Sequence, residues 1–147
     1  MQVRLDGRNA IITGGSAGIG KAIAKNFLTS GANVAIVARR RNILDAAKAE
    51  IEAEGEKAGN TGKVIALSAD IRRDDECTAV VAKIVAEFGK IDVLVNNAGT
   101  SQRGAFLDVS DEVWQDDLDL KLFSAIRLSR LVIPSMRERK CCLLYTS

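Results

Sequence analysis

Short apolar runs alternate with longer stretches of mixed polarity over the first hundred residues. The run "NAIIT" at 9–13 is β-prone and ends at a glycine cluster. Residues 18–31, "GIGKAIAKNFLTSG", set Ile19, Ile23 and Phe27 at helical spacing and close on Gly31, which predicts a C′ position. "NVAIVA" at 33–38 predicts a second strand. Residues 40–59 predict an amphipathic helix running into the loop "GNTG". "KVIALSA" predicts a third strand, and residues 74–89 a third helix with Val80, Ile84 and Phe88 on one face. "IDVLVNNAG" at 91–99 predicts a fourth strand followed by a loop.

Apolar strands separated by helices of this length predict βαβ units, a parallel sheet covered on both faces, and right-handed crossovers. The expected fold class is α/β: a Rossmann-like, doubly wound parallel sheet, incomplete, with about four strands and a long helix. No repeat, low-complexity stretch or linker divides the chain. Beyond Gly99 the pattern changes. Residues 100–109 read as a loop. Ser110 predicts an N-cap, with Asp111 and Glu112 in the first turn, where the helix dipole favours them. A helical pattern then runs to about Arg139, with Leu118, Leu122, Ile126, Ser129 and Ile133 as its apolar stripe. Pro134 predicts a kink or a local break.

The stretch "TGGSAGIG", Thr13 to Gly20, lies between the first strand and the first helix. Gly14 permits a sharp turn, Gly18 lets backbone approach a pyrophosphate, and Gly20 lets the helix pack closely. The helix start then offers unpaired N–H groups to an anion. Gly14, Gly15, Ser16, Gly18, Ile19 and Gly20 are the candidate cofactor-binding residues of this stretch. Glycines alone would equally suit a flexible connector; the strand–loop–helix context favours the nucleotide reading.

Composition adds bounds. At 147 residues the chain is long enough for one domain with a sizeable core. With 47% hydrophobic and 27% charged residues it has the balance of a soluble globular protein. A net charge of +2 supports neither a nucleic-acid nor a membrane-surface role. No apolar run is long enough to cross a bilayer, and the N-terminal stretch lacks the apolar region of a signal peptide. The three cysteines fit a reducing compartment, so the cytoplasm is expected. There is no histidine, no cysteine has metal-ligand spacing, and no metal site is expected.

Thr13-Gly14-x-x-x-Gly18-x-Gly20 resembles the glycine signature of the short-chain dehydrogenase/reductase family. "NNAG", Asn96 to Gly99, resembles the family's second signature, at the end of the fourth strand. The resemblance runs from Leu5 to about Lys140 and lies nearest the 3-oxoacyl-carrier-protein reductase-like members. It implies hydride transfer between a nicotinamide cofactor and a small carbonyl or alcohol substrate. It also implies dimers or tetramers in which the long helix packs against its twin. By resemblance Asp70 and Ile71 flank the adenine, and Asp70 can accept from its amino group; a turn aspartate is the other reading. Asn97, Ala98 and Gly99 line the nicotinamide ribose, and Asn96 braces the sheet; from residues alone "NNAG" is also compatible with a plain turn.

In a Rossmann unit an acid after the second strand accepts the adenosine ribose hydroxyls of NAD. Here that position is Ala38, and Arg39 and Arg40 follow. Guanidinium groups pair with a 2′-phosphate, so NADP is expected over NAD. The plainer alternative is that the arginines open a solvated helix.

The family also uses a tyrosine, a lysine four residues on, a serine, and an asparagine in the preceding long helix. The asparagine position is Lys121, a variant relay or a surface lysine. Tyr145 is the only tyrosine and has no residue four positions after it. Ser147 falls near the expected serine without that residue's usual surroundings. No catalytic residue is therefore assigned. The ending "CLLYTS" is what TGT CTC TTA TAC ACA TCT encodes, a frame within the mosaic-end adapter of transposase-based sequencing libraries. The expected organisation is a cofactor-binding part of one Rossmann-fold domain over 1–141, with adapter translation over 142–147. The parent is expected to be an NADP-dependent oxidoreductase and the chain as written an inactive fragment. The alternative is a non-catalytic nucleotide-binding or regulatory module on the same fold.

Overall fold

A computed structural model describes residues 4–60, 62–100, 104–140 and, as backbone, 143–146. The strands are β1 (Asn9–Thr13), β2 (Asn33–Ala38), β3 (Val64–Ser68), β4 (Val93–Asn96) and β5 (Leu143–Thr146). The α-helices are α1 (Gly18–Thr29), α2 (Arg41–Lys57), α3 (Asp74–Phe88), α4 (Asp111–Leu118) and α5 (Ser124–Glu138). A π-helical turn at Asp119–Phe123 joins α4 to α5.

The sheet order is β3-β2-β1-β4-β5, with every pairing parallel. Alternate residues of each strand point to opposite faces, and each face carries its own core. Ala10, Ile12, Val34, Ile36, Val93 and Val95 pack with α1 and α2 through Ala24, Leu28, Leu44, Ala47 and Ile51. Ile11, Ala35, Val37 and Leu94 pack with α3 and α5 through Val80, Ile84, Leu128, Val132 and Met136. All five residues of β1 are buried because helices cover both sides. At the amino ends of the strands Asp92 accepts from the Asn9 backbone N–H at 3.0 Å. Lys90 and Arg139 lie 3.4 and 3.7 Å from its other oxygen, which ties the end of α5 to the sheet.

The four expected strands and the first three helices form. The structure differs from the expectation in four places. The face of α1 that meets the sheet is Gly20, Ala24 and Leu28, while Ile19 is exposed. In the long helix the buried series is Leu120, Ser124, Leu128, Val132 and Met136; the expected stripe from Leu118 to Ile133 turns outward. Helix α5 runs through Pro134, and the departure from α geometry lies at Asp119–Phe123 instead. There the Ser124 hydroxyl donates to the Leu120 carbonyl at 2.6 Å, satisfying backbone in the widened turn. Residues 143–146, expected to lie outside the native chain, pair as β5 with β4. A short β-prone run meeting an open parallel edge pairs with it, because that edge presents unpaired N–H and C=O groups.

Ile11 lies at the centre of the sheet and Leu107 is 92% exposed. Ile11→Ala is expected to cost about 3 kcal/mol, and Leu107→Ala within about 0.5 kcal/mol of nothing, by denaturant unfolding. Equal losses would contradict this placement of the core.

Candidate functional site

Successive helices leave β1 and β4 toward opposite faces of the sheet, so a crevice opens beyond the carboxyl ends of these two neighbours. The two loops that bound it are pinned by one side chain. The Thr13 hydroxyl donates to the Val95 carbonyl at 3.3 Å and accepts from the Asn97 and Ala98 backbone N–H groups, both at 3.0 Å. The Asn97 side-chain amide donates to the Thr13 carbonyl at 3.0 Å.

Gly14 turns the chain with φ +68°, in the left-handed region that favours glycine. Gly20, in the first turn of α1, sits directly beneath this loop. A Cβ there would fall on the Gly14 carbonyl oxygen and 2.5 Å from Asn97 Nδ2. The close approach expected between helix and sheet is therefore an approach of helix to loop. The N-cap residue, Ala17, has no side chain able to cap, and the first turn carries no acid. Among the described residues no side chain caps the start of α1, so the positive end of the helix dipole lies at the crevice wall uncapped.

The crevice has a volume of about 520 Å³. Gly14, Ser16, Gly18 and Ile19 form its glycine wall. Arg39 and Arg40 stand at the end of β2, Asp70 and Ile71 follow β3, and Asn97, Ala98 and Gly99 follow β4. Gly15 and Gly20 lie behind the wall; a Cβ on Gly15 would meet Ile36 Cγ2 at 2.6 Å. Asn96 is buried at the end of β4. The sequence reading missed Leu120, which reaches the crevice from the π-helical turn. It also used Thr13 only to frame a motif. Helical periodicity gave no signal for Leu120, because the more regular apolar stripe is the outer one.

The charged groups differ in how they are engaged. Arg41 pairs with Asp45 at 2.9 Å, whereas the Arg39 and Arg40 guanidinium groups make no hydrogen bond or ion pair among the described residues. Asp70 is held on several sides. Arg72 donates through Nε to Oδ1 at 2.9 Å and through Nη2 to Oδ2 at 2.6 Å, and its backbone N–H reaches Oδ1 at 3.2 Å. The Asp70 backbone N–H donates to Glu76 Oε2 at 2.6 Å. The Arg72 guanidinium holds the Asp70 carboxyl below its ordinary range. Asp70 is thus both a turn aspartate and a wall of the crevice. Lys121 pairs with Asp117 at 2.8 Å, and its stem lies 3.7 Å from where a Gly99 Cβ would be. With Thr13, Asn96 and Ser124 it lines a smaller recess of about 130 Å³.

Comparison with known proteins points the same way. The sequence model of the short chain dehydrogenase family matches residues 8–142. A short chain dehydrogenase of Pseudocercospora fijiensis is 40% identical over 141 residues, 95% of this chain and 44% of its own length. The 3-oxoacyl-(acyl-carrier-protein) reductase of Escherichia coli is 33% identical over 138 residues, 94% of this chain and 53% of its own. The chain thus spans about half the length of the curated relatives it matches. Among solved structures, L-sorbose reductase from Gluconobacter frateurii, complexed with NADPH and L-sorbose, superposes with a TM-score of 0.85. It is 37% identical, over 95% of this chain and 51% of that one. A 7α-hydroxysteroid dehydrogenase complexed with NADH and 7-oxo glycochenodeoxycholic acid superposes at 0.88 with 35% identity, over 99% of this chain and 54% of that one.

The seat of α1 on the loop gives a test. Gly20→Ala drives a methyl group into backbone and is expected to destabilise the fold by about 2 kcal/mol in denaturant unfolding. Wild-type stability in this variant would mean that the helix is not seated on Gly14.

Proposed function

Since the chain belongs to the short chain dehydrogenase family, we propose that it is the NADP-binding part of an oxidoreductase that reduces a small carbonyl compound or oxidises the corresponding alcohol. One observation carries the cofactor choice. Arg39 and Arg40 line the crevice, neither guanidinium in a hydrogen bond or ion pair among the described residues, next to the position where NAD-binding Rossmann units hold an acid. A 2′-phosphate is the anion that such a pair accepts and that an acid repels.

The residues present suit a nicotinamide dinucleotide. No atom lies within 4 Å of a Cβ built on Gly18, so the backbone there is open to a phosphate. The uncapped start of α1 supplies N–H donors and positive potential at the same place. Asp70 accepts from the adenine amino group and Ile71 packs on the ring. Asn97, Ala98 and Gly99 hold the nicotinamide ribose, in a loop whose position Thr13 fixes. The bound cofactor supplies the hydride; this chain's residues bind it, orient it and exclude water from its face. We assign the proton donor and carbonyl-polarising groups to sequence beyond this chain, and the last residues, 142–147, to adapter translation. Lys121 tied to Asp117 favours one competing reading, a nucleotide-binding or regulatory module without catalysis.

We also propose that the outer face of the long helix receives a second copy of the chain. Leu122, Ile126, Ser129 and Ile133 line an apolar groove of about 560 Å³ on that face. The helix has already buried its inner face, so the stripe is left for another surface. The cytoplasm is the proposed compartment, where the buried thiol of Cys77 stays reduced; recovery of the protein in a secreted or membrane fraction would contradict this.

The cofactor proposal is tested on the complete reading frame, recovered by sequencing the locus past Lys140. Arg39→Asp is expected to weaken NADPH by about tenfold or more while leaving NADH little changed, by fluorescence titration. Equal effects on both would sink the arginine assignment. The complete protein is expected to oxidise NADPH with a carbonyl substrate, and the 147-residue chain alone not to. A complete protein that binds NADPH but turns over no carbonyl or alcohol would favour the non-catalytic module. For assembly, Ile126→Asp is expected to shift the complete protein from dimer or tetramer toward monomer in light scattering. An unchanged mass would exclude this face.

A further inference from the structure

We propose that Arg72 is a positioning residue that fixes the Asp70 carboxylate to accept the adenine amino group, making that end of the crevice selective for the base. The inference rests on the dinucleotide reading above. Asp70 lines the crevice and Arg72 does not, so Arg72 acts only through its partner.

The geometry is that of a clamp. The guanidinium meets both carboxylate oxygens in a fork, at 2.9 and 2.6 Å. The Arg72 backbone N–H takes the second lone pair of Oδ1 at 3.2 Å, so the acceptor left directed away from the fork is Oδ2. The remaining guanidinium nitrogen, Nη1, donates to Asp116 on α4 at 3.0 Å. The Arg72 backbone carbonyl accepts from Arg127 Nη1 on α5 at 2.5 Å. The fork is therefore held from the β3 loop, α4 and α5 together. Its side chains are only 26% and 24% exposed, which sets it apart from the solvated ion pairs of the helix surfaces.

The clamp also settles a competition. Beside Arg72, Arg39 and Arg73 are cations whose charge reaches Asp70, and of these two Arg39 lines the crevice. Without Arg72, the carboxylate would turn toward Arg39 or into water. Either move takes an acceptor from the base, and the first also occupies a cation meant for phosphate. An ionised, fixed acceptor distinguishes adenine, which presents an amino donor, from hypoxanthine, which presents a carbonyl at the same position.

The test uses the complete protein and two probes, NADPH and its hypoxanthine analogue, titrated by fluorescence into wild type, Arg72→Gln, Arg72→Lys and Asp70→Ala. Wild type is expected to prefer NADPH by about tenfold. Asp70→Ala and Arg72→Gln are each expected to bring the ratio near one by weakening NADPH, leaving the analogue unchanged. Arg72→Lys keeps the charge without the fork and is expected to fall between; if the glutamine variant does not fold, this variant decides. A wild-type ratio in a folded Arg72 variant, with the ratio lost in Asp70→Ala, overturns this inference and leaves the dinucleotide site standing. Equal weakening of both probes by Arg72→Gln makes the residue merely structural and also overturns it. A wild-type ratio in Asp70→Ala removes the base from Asp70, and the reading of that end of the crevice falls with the inference.

Discussion

The crevice depends on how tightly two parallel neighbours are held where their chains part. Beyond β1 the chain enters α1 on one face; beyond β4 it leaves for the other. The Gly14 N–H still donates to the Val37 carbonyl of β2 at 2.8 Å, but the β1–β4 ladder ends before the two loops, which need another tie to each other. The Thr13 hydroxyl supplies it, serving as donor to β4 and as acceptor for two N–H groups of the following loop. One buried hydroxyl thereby satisfies three backbone groups that would be costly to leave unpaired. Asn97 returns the contact, and the same amide stands over Gly20. The glycine loop, the start of α1 and the "NNAG" loop are therefore tied into one unit. Valine, isosteric with Thr13, would keep the packing and lose all three bonds.

Electrostatics then divides this unit into ends. At the far end of β2, two guanidinium groups line the crevice with no hydrogen bond or ion pair among the described residues, while the Asp70 carboxylate on the same crevice is paired with Arg72. Beside the glycine wall lies the uncapped helix start. Anion-seeking groups thus run along one side, and carboxylates that would oppose an anion are engaged elsewhere. The exposed pairs on the helix backs, such as Lys21 with Glu50, do not enter this balance, since solvent screens them to small net values.

The sequence made the strands and the glycine signature legible because their constraints are local. An apolar run covered on both faces looks the same whatever its neighbours, and a φ of +68° at Gly14 asks for glycine whatever surrounds it. The contacts that shape the crevice are not local. Thr13 reads as a strand residue until Asn97, 84 positions later, is placed beside it. Asp70 reads as a turn residue or a base contact, and the fold makes it a turn residue on the crevice wall. Its link through Arg72 to Asp116 spans 44 positions and follows no motif. Gly15 and Gly20 read as members of a glycine loop, but what bars a side chain there, Ile36 and the loop itself, appears only in the fold.

The long helix shows why periodicity alone misassigned a face. It carries two apolar rows, and the row from Leu118 to Ile133 is the more regular in sequence. The buried row is set by the π-helical turn, which holds more residues than an α turn. Across it Leu120, inside the turn, and Ser124, the first residue of α5, stay on the side of Leu128 instead of advancing past it. The same turn sends Leu120 into the crevice and lays the stem of Lys121 against Gly99. A regular α-helix through this segment would break one of those contacts or expose the buried Ser124 hydroxyl. The irregular turn is thus the device by which one helix closes the core, reaches the crevice and keeps a second apolar row outside. That outer row lines an apolar groove outside the core of the described residues, and the widened turn is what keeps it there.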